Sequence, residues 1–120
     1  MQLHMANLRW YKIDEKIPEG DFIRQITLAG KKLCLLRTEN KIHLVQNSCP
    51  HAGGLLSTGW CENSQLICPI HRYAYNLENG RGAEGQGDYI HIYPLREEAD
   101  GLYAGFRQSL FGRLFGRDES

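Results

Sequence analysis

Short runs of alternating apolar and polar residues cover most of this chain. FIRQITLA at 22–29 alternates with period two, as a strand with one buried face does. LCLLR at 33–37 and IHLVQ at 42–46 are denser in apolar residues, and TENK at 38–41 between them reads as a hairpin turn. AGKK at 29–32 supplies the turn before them. LRWYKI at 8–13 opens the series; YAYNL at 73–77, DYIHIYPL at 88–95 and LYAGF at 102–106 continue it. ENG at 78–80 is a turn, RGAEGQG at 81–87 a glycine-rich loop, and REEADG at 96–101 a connection. The pattern predicts seven or eight short strands and no helix within 9–106, an all-β sandwich or barrel.

The 120 residues correspond to one domain. Apolar content of 42%, charged content of 23% and zero formal net charge are those of an ordinary globular protein, with no charge bias toward nucleic acid. No apolar run approaches the length of a membrane-spanning helix, and the N-terminus has no signal-peptide pattern, so a cytoplasmic location is expected. Met5 offers an alternative start, with Met1–His4 as an upstream extension. GRGAEG at 80–85 matches a dinucleotide fingerprint in letters only. The motif needs a strand before it and a helix after it, and a strand-like segment follows instead.

The chemistry is concentrated in SCPHAGGLLSTGWCENSQLICPIHRYAY, residues 48–75. Two Cys-Pro pairs occur there, each with a histidine behind it: Cys49-Pro50-His51, and Cys68-Pro69-Ile70-His71 after a gap of 16 residues. Proline fixes φ and donates no amide hydrogen, so the amides beyond it are free to turn toward the sulfur. Without a secretion signal, metal ligation is favoured over disulfides. Cys34, in an apolar run, reads as a buried small hydrophobe, and so does Cys61.

Two thiols and two imidazoles fit a tetrahedral zinc ion, a cluster with one Cys-held and one His-held iron, or no metal at all. A zinc-stabilised interaction module pairs like ligands within each knuckle. Here each knuckle mixes one Cys and one His, which suits a site with two distinct irons, both loops clamping both metals.

CPH followed after 16 residues by CPIH resembles the motif of the Rieske [2Fe–2S] family, and the likeness runs from Trp10 to Phe106. It implies an all-β fold of three stacked antiparallel sheets with a cluster-binding subdomain of two loops. It implies one [2Fe–2S] cluster, with Cys49 and Cys68 on the inner iron and His51 and His71 on the outer. Residues 1–8 are then an N-terminal extension, 9–106 the Rieske domain with its cluster region at about 47–76, and 107–120 a tail.

Departures from the broader family narrow the resemblance. Quinol-oxidising members carry a disulfide between the cluster loops, and the corresponding places here hold Gly54 or its neighbours and Ile70. Ring-hydroxylating oxygenases carry a second, mononuclear-iron domain, for which this chain has no room. Soluble Rieske-type ferredoxins and the small subunit of nitrite reductases remain. The implied role is a one-electron carrier, or a non-catalytic subunit of a larger oxidoreductase, between a flavin reductase and an oxygenase or nitrite reductase large subunit. No catalytic residue is assigned.

Two neutral imidazoles in place of two thiolates make the cluster less negative and raise its potential, to roughly −150 to +300 mV across such centres. In high-potential relatives a serine and a tyrosine after the second histidine hydrogen-bond the sulfurs. Those positions are Tyr73 and Tyr75, so the resemblance implies a low potential lifted slightly by Tyr75. Pro50, Gly53, Leu55 and Pro69, with Leu56, are expected to shield the cluster, and the proline-free 80–87 loop to form a mobile third wall. In the tail, Phe106, Leu110, Phe111, Leu114 and Phe115 would share one face of a helix and Arg107, Arg113 and Arg117 the other. That helix would pack back on the domain or meet a partner or a membrane surface through 106–117.

Overall fold

The computed structural model describes residues 7–50 and 53–108. The backbone is almost entirely β. Its strands are β1 (Leu8–Lys12), β2 (Phe22–Leu28), β3 (Lys31–Thr38), β4 (Lys41–Gln46), β5 (Trp60–Glu62), β6 (Gln65–Ile67), β7 (Ala74–Asn76), β8 (Ile92–Tyr93), β9 (Leu95–Glu98) and β10 (Gly101–Arg107), with a 3₁₀ turn at Leu56–Thr58. They form three antiparallel sheets, ordered β1-β10-β9, β2-β3-β4-β8 and β5-β6-β7. The expected all-β fold of three sheets is therefore present. Within it two compact units can be distinguished, one made of the two ends and one spanning Glu15–Ile92.

The terminal unit rests on aromatic packing. Tyr11 and Tyr93 each lie 5.2 Å from the Phe106 ring. Phe106 is fully buried in β10, so it is not available to the tail helix proposed for it, and Arg107 still belongs to the strand. Trp10 pairs with Gly105, where an added Cβ would stand 3.1 Å from the indole, and Arg96 covers that ring at 4.3 Å. The predicted tail from residue 109 onward lies outside the described residues, as does the N-terminal extension through residue 6.

The larger unit is built on β3. Its Leu33–Leu36 run is buried throughout, because β3 is flanked on both sides by β2 and β4. Tight hairpins close the ladder. Ala29 and Gly30 between β2 and β3, and Glu39 and Asn40 between β3 and β4, all have positive φ, as a two-residue hairpin turn demands. The β5–β6 hairpin repeats the device at Asn63 and Ser64.

Three readings of the pattern change. The β5–β6 hairpin lies inside a segment assigned no strand, and DYIHIYPL contributes only the two-residue β8 before Pro94. Its neighbour LREE, three of whose four residues were read as connection, forms β9; Arg96 and Glu98 pair there at 2.7 Å.

Candidate metal centre

Cys49 and Cys68 head two loops of the same construction. The Cys49 amide donates to Gly54 O at 2.8 Å, and the Cys68 amide donates to Tyr73 O at 2.7 Å, each five positions on. Antiparallel neighbours bracket both loops: Ser48 with Leu55, and Ile67 with Ala74. Within the first loop Gly53 N also donates to Cys49 O at 2.8 Å. In the second, the Ile70 amide hydrogen-bonds the Cys68 thiol, the return of a post-proline amide to sulfur that the Cys-Pro turn permits.

The sulfurs are core atoms. Cys49 is 2% exposed and Cys68 0%, and both belong to one apolar cluster with Leu56, Leu66, Tyr75 and Leu77. They lie close enough to hydrogen-bond one another, and a Cβ placed on Gly54 would come within 3.2 Å of Cys68 Sγ and 2.8 Å of Ile70 Cδ1. Burial, with Cys49 beside it, holds the Cys68 thiol above its usual pKa, although the Ile70 amide opposes the shift. Such a pocket penalises a bare thiolate and accepts one when a cation compensates its charge. A pair of adjoining buried thiols, backed by a returning amide, is a donor set that fits iron. His71 sits at the exposed end of the second loop with φ +61°, edge-on to Tyr73 at 6.2 Å. His51 lies outside the described residues. Among the described residues no three His, Cys, Asp or Glu side chains converge as a ready-made single-ion site.

The expected shielding residues separate into two groups. Pro50, Gly53, Pro69, Leu55 (48% exposed) and Ile70 (42%) lie on the surface of the loops. Leu56 is fully buried under them, and Tyr73 is half-buried. Tyr75 is completely buried, with its hydroxyl 3.2 Å from Cys49 Sγ.

The glycine-rich loop is pinned to this site by its hydrogen bonds. Ala83 N donates to Ala74 O at 2.9 Å, and Ala74 N donates to Gln86 Oε1 at 3.0 Å. Gln86 Nε2 donates to Asp88 Oδ1 at 3.1 Å, and the Tyr75 hydroxyl donates to Asp88 Oδ2 at 2.9 Å. Burial first, then Cys49 and Asp88, push the Tyr75 phenol well above its ordinary pKa. The G-x-G-x-x-G letters thus fall in a loop that folds back on the cysteine region. Asp88, Gln86 and Asn47 were absent from the sequence expectations; no spacing rule marks a lone polar residue in a loop.

The profile of the Rieske [2Fe-2S] domain family matches residues 9–93. The chain belongs to the Rieske family. Among curated proteins, the ferredoxin component of a naphthalene 1,2-dioxygenase system from Pseudomonas aeruginosa is 35% identical over 84 residues, covering 69% of the Rieske chain and 80% of the relative. The corresponding component from Pseudomonas putida is 32% identical over 83 residues, with 68% and 79% covered. Among solved structures, a protein described as an NADH-dependent nitrite reductase small subunit from Mycobacterium tuberculosis superposes with a TM-score of 0.69 at 22% identity, covering 86% of the Rieske chain and 98% of its own. The ferredoxin of carbazole 1,9a-dioxygenase from Nocardioides aromaticivorans IC177 gives a TM-score of 0.64 at 17% identity, covering 82% and 96%. Membership brings a [2Fe–2S] cluster and the role of electron carrier. Redox proteins are the partners that role requires.

Proposed function

We propose that this Rieske protein holds its cluster through Cys49, His51, Cys68 and His71, and carries single electrons from a reductase to the terminal oxygenase of a ring-hydroxylating system. The observation that carries the reading is the pair of identically closed loops, whose buried sulfurs adjoin while His71 stays at the surface. When bound, the cluster supplies a one-electron couple. The protein's part is to hold and shield it. Buried Cys49 and Cys68 would hold it from an apolar, water-excluding core, and His51 and His71, the latter exposed, would complete its ligation. Exposed Leu55 and Ile70 give the loop tips an apolar surface for brief docking. Pro50, Gly53 and Pro69 shape the turns.

The oxygenase is preferred as electron acceptor because the dioxygenase ferredoxin components match at 35% and 32% identity. The likeness to the nitrite reductase small subunit is one of fold. The proposed Rieske domain runs from β1 to the end of β10 at Arg107, with a tail beyond it. A cytoplasmic site of action fits four cysteines that form no disulfide and the lack, among the described residues, of any helix long and apolar enough to cross a membrane.

The test is anaerobic reconstitution followed by iron and acid-labile sulfide analysis, low-temperature paramagnetic resonance after dithionite, and stopped-flow mixing with a flavin reductase and a Rieske oxygenase. The expected results are two irons and two sulfides per chain, a rhombic signal of a His-ligated cluster, and electron delivery to the oxygenase. A colourless, iron-free product would refute the assignment, and zinc in its place would indicate an interaction module. Stable co-purification with a large reductase subunit would replace the shuttle with a bound subunit.

A further inference from the structure

The Tyr75 hydroxyl has one hydrogen and two acceptors. Cys49 Sγ lies 3.2 Å from the phenol oxygen and Asp88 Oδ2 lies 2.9 Å from it. Once Cys49 is a metal-bound thiolate, neither neighbour brings a hydrogen to that oxygen while Asp88 is ionised, so carboxylate and sulfur compete for the same O–H. The carboxylate is the better placed. Oxygen anions accept shorter and stronger hydrogen bonds than sulfur does, and Asp88 is held in position from three sides. Gln86 Nε2 donates to its Oδ1 at 3.1 Å, and Gln86 is fixed by the Ala74 amide on its Oε1 at 3.0 Å. Gly82, where a Cβ would stand 2.4 Å from Asp88 Oδ1, leaves the carboxylate its place, and the Gly82 amide donates to Asp88 O at 2.8 Å. The third loop therefore presents an anchored acceptor to the residue that touches a cluster sulfur.

We infer that Asp88 is a positioning residue that draws the Tyr75 hydrogen away from the Cys49 sulfur and thereby holds the cluster's reduction potential down. This rests on the proposed ligation by Cys49. A hydrogen bond donated to a cluster sulfur stabilises the more negative, reduced state and raises the potential; Asp88 withholds it. Tyrosine at this position thus does not by itself produce a high-potential centre. The contribution that the sequence assigns to Tyr75 is under the control of a residue on another loop. Asparagine at 88 keeps the shape, replaces a carboxylate by a weaker amide acceptor, and releases the O–H to sulfur.

The experiment is a double-mutant cycle on the cluster-loaded chain, with the reduction potential as readout: wild type, Asp88→Asn, Tyr75→Phe and the double variant. Asp88→Asn should raise the potential. Its shift should shrink when Tyr75 is phenylalanine, leaving only the effect of deleting a nearby negative charge. Tyr75→Phe should lower the potential more in the Asp88→Asn background than in the wild type. Equal shifts of Asp88→Asn in both backgrounds would overturn the inference and leave simple charge removal, and so would no shift in either. If Asp88→Asn does not load a cluster, Gln86→Leu, which loosens the carboxylate without touching Tyr75, takes its place with a smaller rise expected and the same dependence on Tyr75. Iron content and the paramagnetic spectrum are recorded for every variant. Loss of the cluster in Cys49→Ala tests the ligation, whereas additivity with the cluster present counts against Asp88 alone.

Discussion

The two cysteine loops reach the same closure by different means. Each is tied by the cysteine amide to a carbonyl five positions on, and each sinks its sulfur into the same core. The second loop caps a continuous ladder, β5-β6-β7, so its ends are set by strand pairing. The first has only the isolated Ser48–Leu55 bridge and depends on Asn47. Asn47 is buried: its Oδ1 accepts the Ser57 amide at 2.7 Å, its Nδ2 donates to Gln25 Oε1 at 2.6 Å, and its carbonyl accepts the Leu56 amide at 2.6 Å. Among the described residues, the first loop has Gly53 at φ +74°, and the second has His71 and Arg72 at +61° and +57°. A hairpin ladder can hold non-glycine residues in left-handed backbone, which costs them energy that glycine does not pay.

The largest effect treats the loops as equals. Cys49→Ala and Cys68→Ala should each abolish cluster incorporation, read as loss of visible absorbance and of iron. Retention of the cluster in either variant would show that the two sulfurs are not equivalent anchors. Next, Gly59→Ala should strike the second loop through its hairpin, because a Cβ there would stand 1.8 Å from Ile67 O, next to Cys68. A loss of about 3 kcal/mol in denaturant unfolding is expected from such overpacking. Asn47→Ala should cost about 2 kcal/mol by orphaning a buried amide. It should loosen the first loop selectively, seen as faster hydrogen exchange at Ser57 than at Ala74. Gly53→Ala, with open space around the Cβ but positive φ, should cost about 1 kcal/mol from backbone strain alone.

The smallest effect belongs to neither loop. His43 is buried on β4, and burial first, then Lys41, hold its imidazole below the ordinary 6.5, against the opposing pull of Glu78 and Glu39. The unfolded chain therefore takes up a proton near pH 6.5 that the folded chain refuses. Stability should be full above that pH and fall as the solution is acidified below it. His43→Gln should flatten the slope of denaturation midpoint against pH in that window, without favouring one loop over the other.

Much of this was legible from side-chain order. Period-two alternation found β2, and dense apolar runs found the central β3 and its neighbour β4. The offsets of Cys49, Cys68 and the two histidines indicated mixed knuckles before any fold was known. Two of the three-residue strands were not legible, although YAYNL had marked the third, β7. WCE and QLI are too short to display a period, although Asn63-Ser64 between them had the composition of a turn. β9 was hidden because its charged residues are stabilised by contacts on its own sheet, with Trp10 beneath Arg96, and not by burial. Asp88 was hidden for another reason. Its importance depends on which tyrosine the third loop meets, and no one-dimensional pattern carries that.

Gly54 opposite Ile70 has a consequence for how the cofactor enters. None of the four cysteines is held in a disulfide, and the spot where the loop tips meet is a side-chain-less residue against an aliphatic one. No covalent staple has to be cut when the jaws part, and a small oily contact is what closes them.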